Sequence, residues 1–60
     1  MTAKEKVIKE LDEIKKDKGH VRWWDVLDVM EGYEEQLIDE NYGEREMYVL
    51  HQILMDMYVN

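Results

Sequence analysis

Apolar residues fall at helical spacing in three stretches of this chain. In the first, Ala3, Val7, Leu11 and Ile14 recur every three or four positions, with Ile8 at the edge. At about 100° per residue these five fill an arc of roughly 140°. Thr2 followed by Glu5 is a capping-box pair that marks the start. Lys15, Lys16 and Lys18 suit the negative end of the helix dipole, and Gly19 suits a left-handed terminus. The outer face pairs opposite charges four apart, as Glu5–Lys9, Lys9–Glu13 and Asp12–Lys16. The pattern predicts a helix over residues 2–17.

The second stretch predicts one helix over about residues 22–40. Trp23, Val26, Leu27, Val29, Met30, Tyr33, Leu37 and Ile38 cover one continuous half of its wheel. Asp25, Asp28, Glu31, Glu35 and Asp39 occupy the other half. Asp25 also qualifies as an N-cap, with Trp24 and Val29 as the flanking staple. Gly32 lies on the acidic face. A mid-helix glycine costs about 1 kcal/mol relative to alanine, so residue 32 is where this helix would kink or break. Glu34 falls in the apolar half. A salt bridge to Arg22 or Arg45 explains it most simply, a place at the helix edge or against a partner less so.

Asn41-Tyr42-Gly43 reads as a turn, because Asn and Gly tolerate positive φ. A third helix follows over residues 44–58, capped by Asn41 with Glu44 or by Gly43. Met47, Leu50, Ile53, Leu54, Met57 and Tyr58 form its stripe, and Tyr48, Met55 and Val59 widen it past half the circumference. Only Arg45, Gln52, Asp56 and Asn60 remain as a polar ridge. A helix apolar nearly all round is a buried helix, and two short neighbours cannot cover it. The expected fold is therefore all-α, a single domain of three short helices without repeat or linker. A homodimer is expected, with Tyr48, Leu50, Met55, Tyr58 and Val59 at its interface.

Composition strengthens the case for association. A 60-residue chain buries only about 60% of the surface its unfolded form exposes. The chain has no Cys, so neither a disulfide nor a thiolate metal site can staple it. No apolar run approaches the roughly 18 residues of a membrane span, and no signal-peptide core opens the chain. The expected location is cytoplasmic, without a membrane partner.

Candidate chemistry is sparse. There is no Ser or Cys nucleophile, and Thr2 sits at a helix start. Of the two histidines, His51 lies at the flank of the third helix's stripe and lacks a partner that would make it a proton relay. Asp39-Glu40-Asn41-Tyr42-Gly43 resembles the opening of a calcium loop, but Gly43 stands at position five, and Leu50 stands at position twelve where glutamate is required. The sequence thus predicts neither an enzyme, nor a cofactor, nor a metal site.

Charge carries the remaining signal. Residues 1–22 hold seven Lys/Arg and five acids, whereas residues 23–60 hold Arg45 alone against ten acids; together these give the net charge of −7. Nucleic-acid binding needs the opposite sign. A basic protein surface fits better. Solubility alone is a sufficient reason for many acidic faces. Here the row is uncompensated, since Glu31–Glu35 and Glu35–Asp39 are like charges four apart. On a continuous helix Trp24 projects into that row, while Trp23 anchors the core. Trp24, Asp25, Asp28, Glu31, Glu35 and Asp39 are the candidate partner-binding residues. The expected function is a non-catalytic acidic module that docks on a basic partner. Its sharper form is a nucleic-acid mimic, as in a small viral inhibitor of a host nucleic-acid-processing or defence enzyme. The alternative is a structural subunit whose apolar third helix completes a larger assembly.

Overall fold

In the computed structural model, which describes residues 1–60, four helices stand where three were expected: α1 Ala3–Lys18, α2 Trp23–Gly32, α3 Glu34–Asp39 and α4 Glu44–Tyr58. There are no strands, so the all-α expectation holds in its coarse form.

Helix α1 begins and ends as its sequence dictates. The Thr2 hydroxyl accepts from the Glu5 amide at 3.2 Å, and the Glu5 carboxylate accepts from the Thr2 amide at 2.9 Å. Two of the orphan amides at the helix start are thereby satisfied. At the other end Gly19 adopts φ 82° and donates to the Lys15 carbonyl. Glycine takes that left-handed conformation without the Cβ clash other residues suffer. The i,i+4 charge pairs on the outer face do not close, and the one ion pair in the molecule is Lys18–Asp25 at 4.0 Å.

The expected second helix is two helices. Arg22 is the N-cap of α2, and Asp25 sits in the first turn, accepting from the Arg22 amide at 3.0 Å. The helix ends after Gly32, at Tyr33 with φ −116° and ψ 14°. There the Tyr33 amide bonds the Met30 carbonyl, three residues back, instead of the usual four. Glycine at position 32 weakens the helix at this point, as expected, and the next residue absorbs the change in dihedrals. Glu34 and Glu35 then fall in the first turn of α3, where carboxylates favour the positive end of the helix dipole.

Helix α3 closes with a Schellman motif. Asn41, at φ 70°, donates to the Ile38 carbonyl, and Tyr42 donates to the Leu37 carbonyl. Asn41 thus ends α3, and Gly43 caps α4, its amide donating to the Glu46 carboxylate at 2.9 Å. This resolves the capping alternatives at the turn in favour of Gly43.

Helix α2 packs against both α1 and α4, and α3 packs against α1 and α2. The molecule measures 32 × 21 × 14 Å. In a chain of 60 residues few positions lie far from solvent. The core is Ala3, Val7 and Leu11 from α1, Val21 before α2, Val26, Val29 and Met30 from α2, Leu37 from α3, and Leu50 and Leu54 from α4. Several residues assigned to the interior from the helical wheel lie outside it. Trp23, Leu27, Ile38, Ile53 and Met57 are all exposed. The wheel gives each helix a half-circle of apolar residues, but so small a molecule covers only the centre of each arc.

Two long-range contacts tie the ends together. The Glu40 carboxylate accepts from the Ala3 amide through both oxygens, at 3.1 and 3.0 Å, and from the Gln36 amide group at 3.1 Å. It places an anion on the N-terminus of α1, the end that favours one. At the opposite end the Tyr58 hydroxyl donates to Asp12 at 2.7 Å and lies 3.4 Å from the Ile8 carbonyl oxygen. Burial, with the Asp12 hydrogen bond and charge adding to it, pushes the Tyr58 phenol up to about 12. The folded state therefore holds this proton more tightly than the unfolded chain, where tyrosine titrates near ~10. The contribution is complete below about pH 10 and is lost as pH rises toward about 12. A falling thermal midpoint is expected across that window, with a shallower fall in Tyr58→Phe. The Tyr33 phenol is also raised, chiefly through Glu10. Identical alkaline profiles for wild type and variant would contradict this assignment.

Candidate docking surface

The acidic row survives in altered form. Asp28, Glu31, Glu35 and Asp39 are exposed, and none hydrogen-bonds or pairs with a cation. Asp25 does not belong with them. It is buried, occupied by the Arg22 amide and beside Lys18. The reason is local: a carboxylate three residues into a helix reaches back to the capping residue's amide. The row is also not one line. Asp28 and Glu31 are on α2, while Glu35 and Asp39 follow the break on α3. The Glu31–Glu35 pair spans that break, so the helical like-charge penalty applies within α3 only.

Several other acids have structural work. Glu5 and Glu46 cap their own helices, Asp12 holds Tyr58, and Glu40 holds α1. Among the acids from Trp23 onward, those left without a partner are Asp28, Glu31, Glu34, Glu35 and Asp39, together with Glu44 on α4. Glu34 pairs with neither Arg22 nor Arg45.

Both tryptophans belong to this surface. Trp24 is 48% exposed, and Trp23, expected in the core, is 53% exposed. Their rings meet edge to face with centroids 5.5 Å apart at 81°. The Arg22 guanidinium lies 6.0 Å from the Trp24 ring centre, at the outer limit for a cation–π contact. Helical spacing sets Trp24, Asp28 and Glu31 on one face of α2, at i, i+4 and i+7. Sequence reasoning found Trp24 and missed Trp23. A tryptophan at the first position of a helix has no preceding turn to cover it, and recognising that needs the helix start.

Helix α4 presents two different flanks. Leu50, expected at a subunit interface, is buried within the chain's own core. Tyr58 is half-buried and anchored to Asp12, and Met55 and Val59 are half-buried against the core. Of the expected interface residues, Tyr48 alone is exposed. On the other flank Val49, Ile53 and Met57 form an exposed row at i, i+4 and i+8. Its apolar character follows from the overpopulated wheel, although the stripe of the third helix places Ile53 and Met57 in the interior.

No group of three or more His, Asp or Glu side chains is arranged to hold a metal ion, and no helix is long and apolar enough to cross a membrane. The chain matches no protein-family model, no curated protein and no solved structure.

Proposed function

We propose that this protein is a non-catalytic acidic module that docks on a basic surface of a partner protein. The observation that carries the reading is the exposed Trp23–Trp24 pair beside carboxylates that nothing within the chain neutralises. Tryptophan is enriched at binding hot spots, and surrounding charge steers a complementary partner. Nucleic-acid mimicry, as in a viral inhibitor of a host enzyme, is a narrower form of this proposal. It requires the partner to release nucleic acid when this protein binds. Its carboxylates would act as two short segments, since Asp25 is withdrawn and the row bends at Tyr33.

Capture from a cell lysate tests the reading. Wild type should retain a protein with a basic surface at low salt and lose it at about 0.5 M salt, where the Debye length falls below roughly 5 Å. Asp28→Lys with Glu35→Lys and Asp39→Lys should capture none of it, while Glu13→Lys on α1 should capture it normally. Equal capture by the triple variant would reject the acidic row as the docking surface.

A second reading has its own observation. The Val49, Ile53 and Met57 row is apolar, exposed and unpartnered, which favours self-association or assembly into a larger complex. Sedimentation equilibrium at micromolar concentration separates the two. Assembly through this row gives about twice the 7.3 kDa chain mass, abolished by Ile53→Asp. Docking through the acidic row alone gives a monomer.

A further inference from the structure

We propose that the groove between α2 and α4 receives a basic amphipathic helix of the partner protein. This rests on the docking reading above and names the partner element that would be recognised. Leu27 and Met30 form one wall, Met47 and Tyr48 the other, with His51 beside them and Glu31 and Glu34 on the rim. Leu27 is 43% and Tyr48 65% exposed and Met47 is half-buried, so these three are open to a ligand, whereas Met30 belongs to the core beneath them. Unbranched, polarisable methionines adapt to side chains of different shape. A groove with apolar walls receives the i, i+3/i+4, i+7 anchors of an amphipathic helix.

Charge decides which helix. Glu31 and Glu34 have no cation partner, and Arg45 is the only Lys or Arg between Trp23 and Asn60. Lysine or arginine flanking the ligand's apolar stripe satisfies both acids. A second copy of this chain does not. Its one basic helix is α1, whose apolar residues Ala3, Val7 and Leu11 are already fully buried. Its α2 would bring Asp28 and Glu31 against the same acidic rim, an unfavourable like-charge contact, and its α4 offers a single Arg45 against Glu44 and Glu46.

The probe is a synthetic peptide of about 18 residues, long enough for four or five helical turns. It contains leucine and lysine only, with leucines at helical spacing. A second peptide carries glutamate for lysine, and a third has the first composition in scrambled order. Each is titrated calorimetrically into the full chain. The patterned lysine peptide should bind saturably at equimolar ratio, and the other two at least about tenfold more weakly. Leu27→Ser, and separately Glu31→Lys with Glu34→Lys, should each weaken it by about tenfold or more while helical circular dichroism stays unchanged. Tyr48→Ser provides the apolar test should Leu27→Ser lose structure.

No binding, equal binding of the glutamate peptide, or indifference to Leu27→Ser and Tyr48→Ser would overturn the proposal. So would self-association of the free protein that Leu27→Ser abolishes, since a second copy would then be the occupant. Scrambled and patterned lysine peptides binding equally, both lost on Asp28→Lys with Glu35→Lys, would leave the acidic row standing and reject the groove. Patterned-peptide binding that persists in a row variant which still captures the same lysate proteins would reject the row and keep the groove.

Discussion

Leu11→Ala and Leu54→Ala are each expected to unfold the protein at room temperature, whereas Leu27→Ala leaves it folded. Leu11 and Leu54 are fully buried, as is Leu37. Removing a buried leucine side chain costs about 2–5 kcal/mol, through lost transfer free energy and the cavity left behind. A domain of this size has roughly 3–5 kcal/mol in total, and no disulfide reinforces it. Leu27 lies on the same apolar half-wheel, yet it is exposed, and its truncation belongs with surface changes of about 0.5 kcal/mol or less. Urea titration followed by circular dichroism measures all three. Equal destabilisation by Leu27→Ala and Leu54→Ala would show that the groove is closed and α2 rotated from its position here.

The second large effect falls on binding. Trp24→Ala should weaken the partner complex by at least ~2 kcal/mol, the usual hot-spot threshold, and alter stability little. Trp23→Ala should also leave the fold intact, because its ring is exposed; the edge-to-face pair itself contributes about 0.5–1.5 kcal/mol. The kinetics should separate anchor from field. Loss of Trp24 speeds dissociation, since local packing acts mainly on the off-rate. Glu35→Gln slows association and flattens its salt dependence, since long-range charge acts on the on-rate. Acrylamide quenching in the two single-tryptophan variants gives a partner-free check. Both residues should be accessible, and shielding of either in the free protein would place it in a self-association interface.

The parts legible in the sequence are those whose causes are local. Thr2, Glu5 and Gly19 bound α1 because capping acts across three or four residues. Gly32 marked the weak point of the second helical stretch, although the dihedral change falls on Tyr33. Asp25 stands on the acidic side of the wheel and also qualifies as an N-cap, but it sits one turn inside the helix, where its carboxylate is taken by the Arg22 amide. Leu27, Trp23 and Ile53 depart from the wheel for a different reason. A half-wheel of apolar residues defines a face, but how much of that face is covered depends on how many neighbours stand over it. Here four short helices supply few neighbours, and the rims of each face stay open. The Glu40–Ala3 and Tyr58–Asp12 contacts join residues 37 and 46 positions apart, beyond the reach of spacing rules. The candidate surface followed the same division. The unbalanced charge was plain in composition, while the groove that concentrates Leu27, Met30, Met47 and Tyr48 exists only once α2 and α4 are packed.

Hydrogen exchange on the complex with the captured partner tests the central claim most directly. If the acidic, tryptophan-edged surface is where the partner sits, amides of α2 and α3 from Trp24 to Asp39 gain protection on binding. The Ile53–Met57 segment of α4, beyond the residues that line the groove, keeps its free-state rates. Protection confined to Val49–Met57, with Trp24–Asp39 unchanged, would contradict the account and assign the molecule to assembly through α4.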